Sequence, residues 1–164
     1  MQTRIRATGQ VLLEHEWIKW VATTYAKSIS AMTADIYDRF DSDAVFEGPQ
    51  ATGGTVYQYS QRDGVEQQSD GKWYTKHILG PVFTDGETTA VEQEAAYKAQ
   101  KDTEQAKSVR ASRDTLLAEC DWVAIKAFET GTSVSAQWAT YRQALRDIPT
   151  LAGFPWTVEW PVQP

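Results

Sequence analysis

The sequence predicts an α+β protein. A small strand-rich N-terminal domain spans residues 1–89, a long connecting helix 90–119, and a C-terminal module 120–164, in which a helix precedes an extended Pro/Trp-rich tail. Three observations carry this reading. Short apolar-polar alternations broken by Gly and Pro fill the first half, as strands and turns require. No Gly or Pro interrupts the thirty residues from Ala90 to Glu119, which are rich in Ala, Glu, Gln, Lys and Arg. Trp138, Tyr141, Leu145 and Ile148 then recur at three- and four-residue steps, the spacing of one helical face.

Thr3–Thr8 and Val11–Trp17 read as two short strands joined around Gly9-Gln10, with Ile5 and Ala7 alternating against polar neighbours. Trp17 with Val21, and Ile18 with Tyr25, also fit helical spacing, so the second element can change type there. Thr33–Phe40 predicts a helix with Thr33 as its cap and termination at Asp41-Ser42-Asp43. Glu47–Thr55, holding Gly48-Pro49 and Gly53-Gly54, predicts a loop. Val56–Tyr59 has strand propensity, Arg62–Val65 resembles a turn, and Asp70-Gly71 marks a hairpin leading into a strand at Trp73–Leu79. Both faces of that strand carry apolar bulk, which allows core on one side and a partner on the other.

The helix over 90–119 would span roughly 45 Å. Its first half has little large apolar surface, and no a/d heptad runs along it. It suits an exposed rod, or a helix packed on copies of itself. Ala124–Ser133 reads as a connection and Ser135–Ile148 as a helix stopped by Pro149. In the tail, Trp156, Val158 and Trp160 alternate around Thr157 and Glu159, compatible with an extended segment laid on that helix.

A net charge of -6 and scattered basic residues argue against nucleic-acid or anionic-membrane binding. No run is long enough to cross a membrane, and the N-terminus lacks the apolar core of a signal peptide. The single Cys120 excludes an intrachain disulfide.

Chemistry is sparse. His15, His77 and Cys120 lie far apart without metal-ligand spacing, and they offer no Cys-His nucleophile pair. Glu14 and Glu16 flank His15 as an ordinary surface pair, and the aspartates at 35, 38, 41 and 43 lack the spacing of a calcium loop. Gly53-Gly54 has no following Lys-Ser/Thr and reads as a turn, not a phosphate cradle. The expectation is therefore a noncatalytic protein without metal or cofactor.

Aromatics are the residue class in excess. Four of the seven tryptophans lie between Arg113 and Trp160. About fifty residues cannot enclose much core. Their rings must pack on the long helix, on the N-terminal half or on another protein. Candidate protein-binding residues are Trp122, Trp138, Tyr141, Phe154, Trp156 and Trp160. Local packing is the competing role for Trp122, Trp138 and Tyr141, and core closure competes evenly for Trp156 and Trp160.

RDTLLAECDW, then SAQWATYRQALRDIP, then GFPWTVEWP resembles the C-terminal module of bacteriophage tail assembly chaperones and tail-fibre assembly proteins. The matching residues run from Arg113, Leu116, Leu117, Asp121 and Trp122, through Trp138, Tyr141, Arg142, Leu145 and Arg146, to Gly153–Trp156, Trp160 and Pro161. The linker AIKAFETGTSVS departs from the family's more proline-rich connection. VFEGPQ, RDGVEQ and GKWYTKHILGPVFTD resemble the front half of tail-region proteins of cyanobacterial phages. The resemblance implies a phage tail protein that binds tail-fibre or baseplate subunits, as an assembly chaperone or a retained adaptor. A stoichiometric fibre or baseplate subunit is the alternative, and a homo-oligomer is compatible with either. It implies a place in the virion tail, the host cytoplasm during assembly, or both. A small envelope-acting hydrolase would need an acid/base or nucleophile constellation, and Glu14, His15, Asp63 and His77 are too scattered to form one by spacing.

Overall fold

Strand-rich structure and long helices divide the chain in the computed structural model, which describes all 164 residues. Two compact units result, Met1–Val82 and Phe83–Pro164.

In the first unit, β1 (Gln2–Ile5) and β2 (Val11–Leu13) form an antiparallel pair. The chain changes type at Glu14, as the helical spacing of Trp17 and Val21 allows, and α1 runs over Glu14–Tyr25. The Glu16 carboxylate accepts the Leu13 N–H at 2.8 Å and so closes the first turn. α2 (Ala34–Arg39) follows, with Thr33 at its cap position. The Thr33 side chain makes no capping bond, contrary to expectation; its carbonyl accepts the amides of Ile36 and Tyr37 instead.

A third strand, β3 (Ser42–Phe46), stands where the sequence predicted only helix termination. It is central in the sheet order β2-β1-β3-β5-β4, antiparallel to β1 and parallel to β5. A charged Asp43 is tolerated in this central strand because Arg4 and Arg6 donate to its carboxylate at 3.1 and 2.7 Å. Arg6 also donates to Asp38 of α2 at 2.6 Å, and the Arg4 guanidinium lies 3.9 Å from the Trp73 ring.

β4 (Tyr59–Gln67) and β5 (Trp73–Gly80) form the predicted hairpin around Asp70-Gly71. Two details differ. Val56-Tyr57 lies in a turn, and Arg62–Val65 is no turn but a bulge within β4, where the register with β5 shifts. Gly64, at φ +81, absorbs the extra residue, so the turn-like composition serves a kink in a continuous strand. The loop over Glu47–Thr55 closes over β5: the Gly48 amide donates to Thr75 Oγ1 at 2.8 Å. A Cβ on Gly48 would collide with the Thr75 carbonyl oxygen.

The core of this unit is Ile5, Trp17, Val21, Tyr37 and Phe40. The buried Trp17 indole donates to Ser42 Oγ at 3.0 Å, and the Ser42 hydroxyl donates to the Phe40 carbonyl at 2.9 Å, so this polar pair is satisfied.

In the second unit, α3 (Ala90–Glu119) has the predicted bounds. Thr89 Oγ1 accepts the Glu92 amide at 3.2 Å and the Glu92 carboxylate accepts the Thr89 amide at 2.9 Å, a reciprocal cap. The Thr89 amide, and after it the Thr89 hydroxyl at 2.8 Å, donate to the Glu92 carboxylate and hold it below its usual range. Cys120 interrupts the helix, and α4 (Asp121–Glu129) occupies most of what the sequence read as a connection. α5 (Ala136–Asp147) and a 3-10 turn (Ile148–Thr150) complete the helices. A turn at Gly153, whose carbonyl accepts the amides of Trp156 and Thr157 at 2.9 and 2.8 Å, takes in the first two residues of the segment expected to run extended, and the tail leaves the turn at Val158. Val109, Cys120, Tyr141, Leu145 and Ile148 form the buried cluster, with Leu116, Leu117, Trp138, Phe154 and Val158 packed around it.

Candidate protein-binding surface

The second unit is held by contacts between the three segments that the sequence set apart. α3 ends at Cys120, whose amide donates to the Leu117 carbonyl at 3.2 Å, and this helix end carries a partial negative charge. Arg142 of α5 meets that end: Nη1 donates to the Leu117 carbonyl at 3.2 Å and to Cys120 Sγ at 2.9 Å, and Nη2 to Asp121 Oδ1 at 2.8 Å. The bond to Asp121, followed by that to Cys120, strengthens protonation of Arg142, while burial pushes the Tyr141 phenol up. Replacing Arg142 with Met, which keeps an unbranched stem but no donors, is expected to cost about 1.5–3 kcal/mol, the range for bonds to charged groups. Arg142→Lys should recover only part, because an ammonium cannot present the fork that reaches three acceptors. Urea denaturation checks this, and an unchanged midpoint in the Met variant would remove Arg142 from the module's framework.

The tail docks on α3. The Trp156 indole donates to Asp102 Oδ1 at 2.6 Å, Gln105 donates to the Pro155 carbonyl at 3.4 Å, and Arg110 lies 5.2 Å from the Phe154 ring centroid. Phe154 and Trp156 are therefore half-buried against the long helix, and Trp160 is 39% exposed.

Trp122, Trp138 and Tyr141 form an edge-to-face series, with centroids 5.8 and 5.9 Å apart. The series runs from a half-exposed Trp122 to a buried Tyr141, so one end is surface and the other core. Beside Trp122 and Trp138, between α4, α5 and the loop joining them, lies an open cleft of about 180 Å³ that Lys126 also lines.

Two large apolar residues escaped sequence reasoning, Ile125 at 57% and Phe128 at 88% exposure, both on α4. Reading 121–129 as a helix would have found them, since Trp122, Ile125 and Phe128 are spaced i, i+3, i+6.

The scattered polar candidates do not converge. Asp63 is paired with Lys76 at 2.8 Å, His77 Nε2 lies 3.3 Å from Gln50 Nε2 and 3.5 Å from Glu47, and Glu14 lies 3.8 Å from the N-terminal amine. No three His, Cys, Asp or Glu side chains gather as a metal site would require. No helix is long and apolar enough to cross a membrane.

The second unit is thus a helical module with packed aromatics on one side and exposed ones on another, a form suited to protein contact. Residues 106–164 match the family model described as phage tail assembly chaperone protein. Among curated proteins and among solved structures, nothing matches. The match covers the later part of α3 through the tail, the segments that Arg142 fastens together, while Asp102, the partner of Trp156, lies just before it; the family's description suggests a part in tail assembly.

Proposed function

We propose that the chain is a noncatalytic bacteriophage tail protein that binds tail-fibre or baseplate subunits, as an assembly chaperone or as an adaptor retained on them. The observation that carries this is a coincidence of position. The family match ends on the same aromatic-bearing module that leaves Trp122, Phe128 and Trp160 exposed after folding. Large apolar groups left outside a folded core mark contact surfaces more often than single scattered residues do. Trp122 and Trp160 are the contact residues in this reading. Trp138 and Tyr141 hold Trp122 in place, and Phe154 and Trp156 hold the tail.

Co-purification with the tail-fibre and baseplate subunits tests the reading. Trp122→Ser with Trp160→Ser is expected to reduce capture by about tenfold or more, as loss of an aromatic hot spot does, in a variant that stays folded by circular dichroism with a modestly lowered melt, since the edge contact of Trp122 with Trp138 is lost. Full capture by a folded double variant would sink the residue assignment. A second reading, a stoichiometric structural subunit of the tail, is favoured by the separately cored sheet unit at Met1–Val82, which gives the chain a further folded body. Mass spectrometry of purified virions separates the two: stoichiometric presence supports the subunit or adaptor, and absence supports the transient chaperone.

A further inference from the structure

Two cations of the first unit share a pocket and have no counterion. Arg4, Arg6, Lys72 and Lys76 of that unit each pair with an aspartate, whereas Lys27 and Arg39 meet no carboxylate. Both line a pocket of about 360 Å³ where the C-terminal ends of α1 and α2 come together. Tyr25, Ser28, Ile36 and Phe40 complete its wall, and none of the six residues is acidic. The Tyr25 and Phe40 rings lie 5.2 Å apart, the first 42% exposed and the second buried, so the aromatic wall reaches from core to surface.

The acids nearest in sequence do not answer this charge. Asp38 is bonded to Arg6 at 2.6 Å, and Asp35 and Asp41 neither line the pocket nor pair with its cations. The helix ends answer part of it. Each helix C-terminus carries roughly half a negative charge, so two ends offset roughly one of the two cations and leave the other uncompensated.

We infer that this pocket docks a segment of a partner protein in which an Asp or Glu adjoins an aromatic residue, the ring against Tyr25, Ile36 and Phe40 and the carboxylate at Arg39 and Lys27. The inference stands apart from the tail-assembly reading, since the site lies in the first unit, outside the matched residues 106–164. A guanidinium takes a carboxylate through two parallel bonds, which suits Arg39 to the acidic group. Helix polarity decides the kind of anion. Phosphates favour helix N-termini, where free amides point at the ligand, and this pocket is flanked by two C-termini. Those ends, with a net charge of -6 on the chain, oppose a multiply charged phosphate ester more than a single carboxylate. Size and exposure decide the rest. The volume is near the lower end of the roughly 300–1,000 Å³ of small-molecule sites, enough for one ring. Lys27 and Arg39 are both exposed, and exposed ion pairs contribute little alone. A chain segment adds apolar contact from its flanks, which a free aromatic acid lacks.

The test uses the full chain and three labelled peptides of equal length in a Gly/Ser frame, centred on Glu-Trp-Glu, Gln-Trp-Gln and Glu-Ser-Glu. Fluorescence anisotropy is expected to show Glu-Trp-Glu binding about fivefold tighter or better than either of the others, since one lacks the ion pairs and the other the ring. Lys27→Gln with Arg39→Gln removes both charges and should erase the preference for Glu over Gln, with the unit still folded by circular dichroism. Lys27→Glu with Arg39→Glu should turn the preference toward a Lys-Trp-Lys peptide. Equal binding of Glu-Trp-Glu and Gln-Trp-Gln by the parent chain, or an undiminished preference in the folded Gln variant, would overturn the inference. So would N-acetyl-tryptophan binding as tightly as the peptide, which would make this a small-molecule site. The chain's own exposed Glu159 adjoins a part-exposed Trp160 and carries the same chemistry. Concentration-dependent association in sedimentation, abolished both by the Gln variant and by Glu159→Gln, would make a second copy the occupant and overturn the choice of partner. Loss of the peptide preference with fibre capture intact would leave the tail-assembly reading standing.

Discussion

Trp17→Ala is expected to cost the sheet unit about 3–5 kcal/mol, the range for removing a buried aromatic side chain from a core. Trp17 has no exposed surface and sits at the centre of its cluster, 5.2 Å from the Tyr37 ring and 6.2 Å from that of Phe40. Its removal leaves a void lined by residues of α1, α2 and β1, which regular backbone holds apart, so collapse would fill little of it. The lost polar contact matters less. Ser42 keeps its bond to the Phe40 carbonyl after the indole N–H is gone, so no buried donor is orphaned. Trp17→Phe therefore separates the two effects, retaining most of the packing, and should cost well under half as much. Urea denaturation with amide exchange over β1 and β3 reads both variants. An Ala variant with an unshifted midpoint would mean that this cluster does not hold the unit together.

Elements whose cause is local were legible in the sequence. α3 needs only thirty helix-compatible residues and a cap at Thr89, and α5 needs only the face from Trp138 to Ile148. The Asp70-Gly71 hairpin is likewise fixed by turn chemistry. β3 was hidden because its cause is distant: Asp43 is acceptable in a strand only when Arg4 and Arg6 arrive from nearly forty residues away. The Arg62–Val65 bulge was hidden for another reason. A Gly at positive φ after a polar pair serves a turn and a bulge equally, and only the strand pairing distinguishes them.

The candidate surface divides in the same way. Residue types and motifs located the aromatic module, while the roles of individual rings depended on long-range geometry. Trp156 became a tail anchor through Asp102, and Arg142 a clasp through Asp121, neither of which spacing reveals. α4 was obscured by its own composition. Apolar residues on both faces erase the one-sided period by which a surface helix is recognised, so its outward stripe passed as part of a connection.

Leu145→Ala is expected to destabilise the helical unit by about 2–5 kcal/mol. Leu145 is fully buried on α5, in a cluster with Val109 of α3, Cys120 at the end of α3, and Tyr141 and Ile148 on its own side. Phe154 and Val158 of the tail pack on the same cluster, so one side chain borders α3, α5 and the tail together. Ala is the strongest helix former, so α5 keeps its intrinsic propensity and the whole loss reports packing. The contrast with Phe128, 88% exposed, is what gives the measurement its functional meaning. Changing Phe128 should leave stability within about 0.5 kcal/mol, as exposed positions do, and, where the exposed aromatics form the contact surface, should weaken capture of tail subunits. Leu145→Ala should do the reverse: a lowered denaturation midpoint, with capture intact at temperatures where the variant remains folded. If capture instead fell in the folded Leu145 variant and survived loss of Phe128, the binding surface would be formed by the packed side of the module and not by its exposed aromatics.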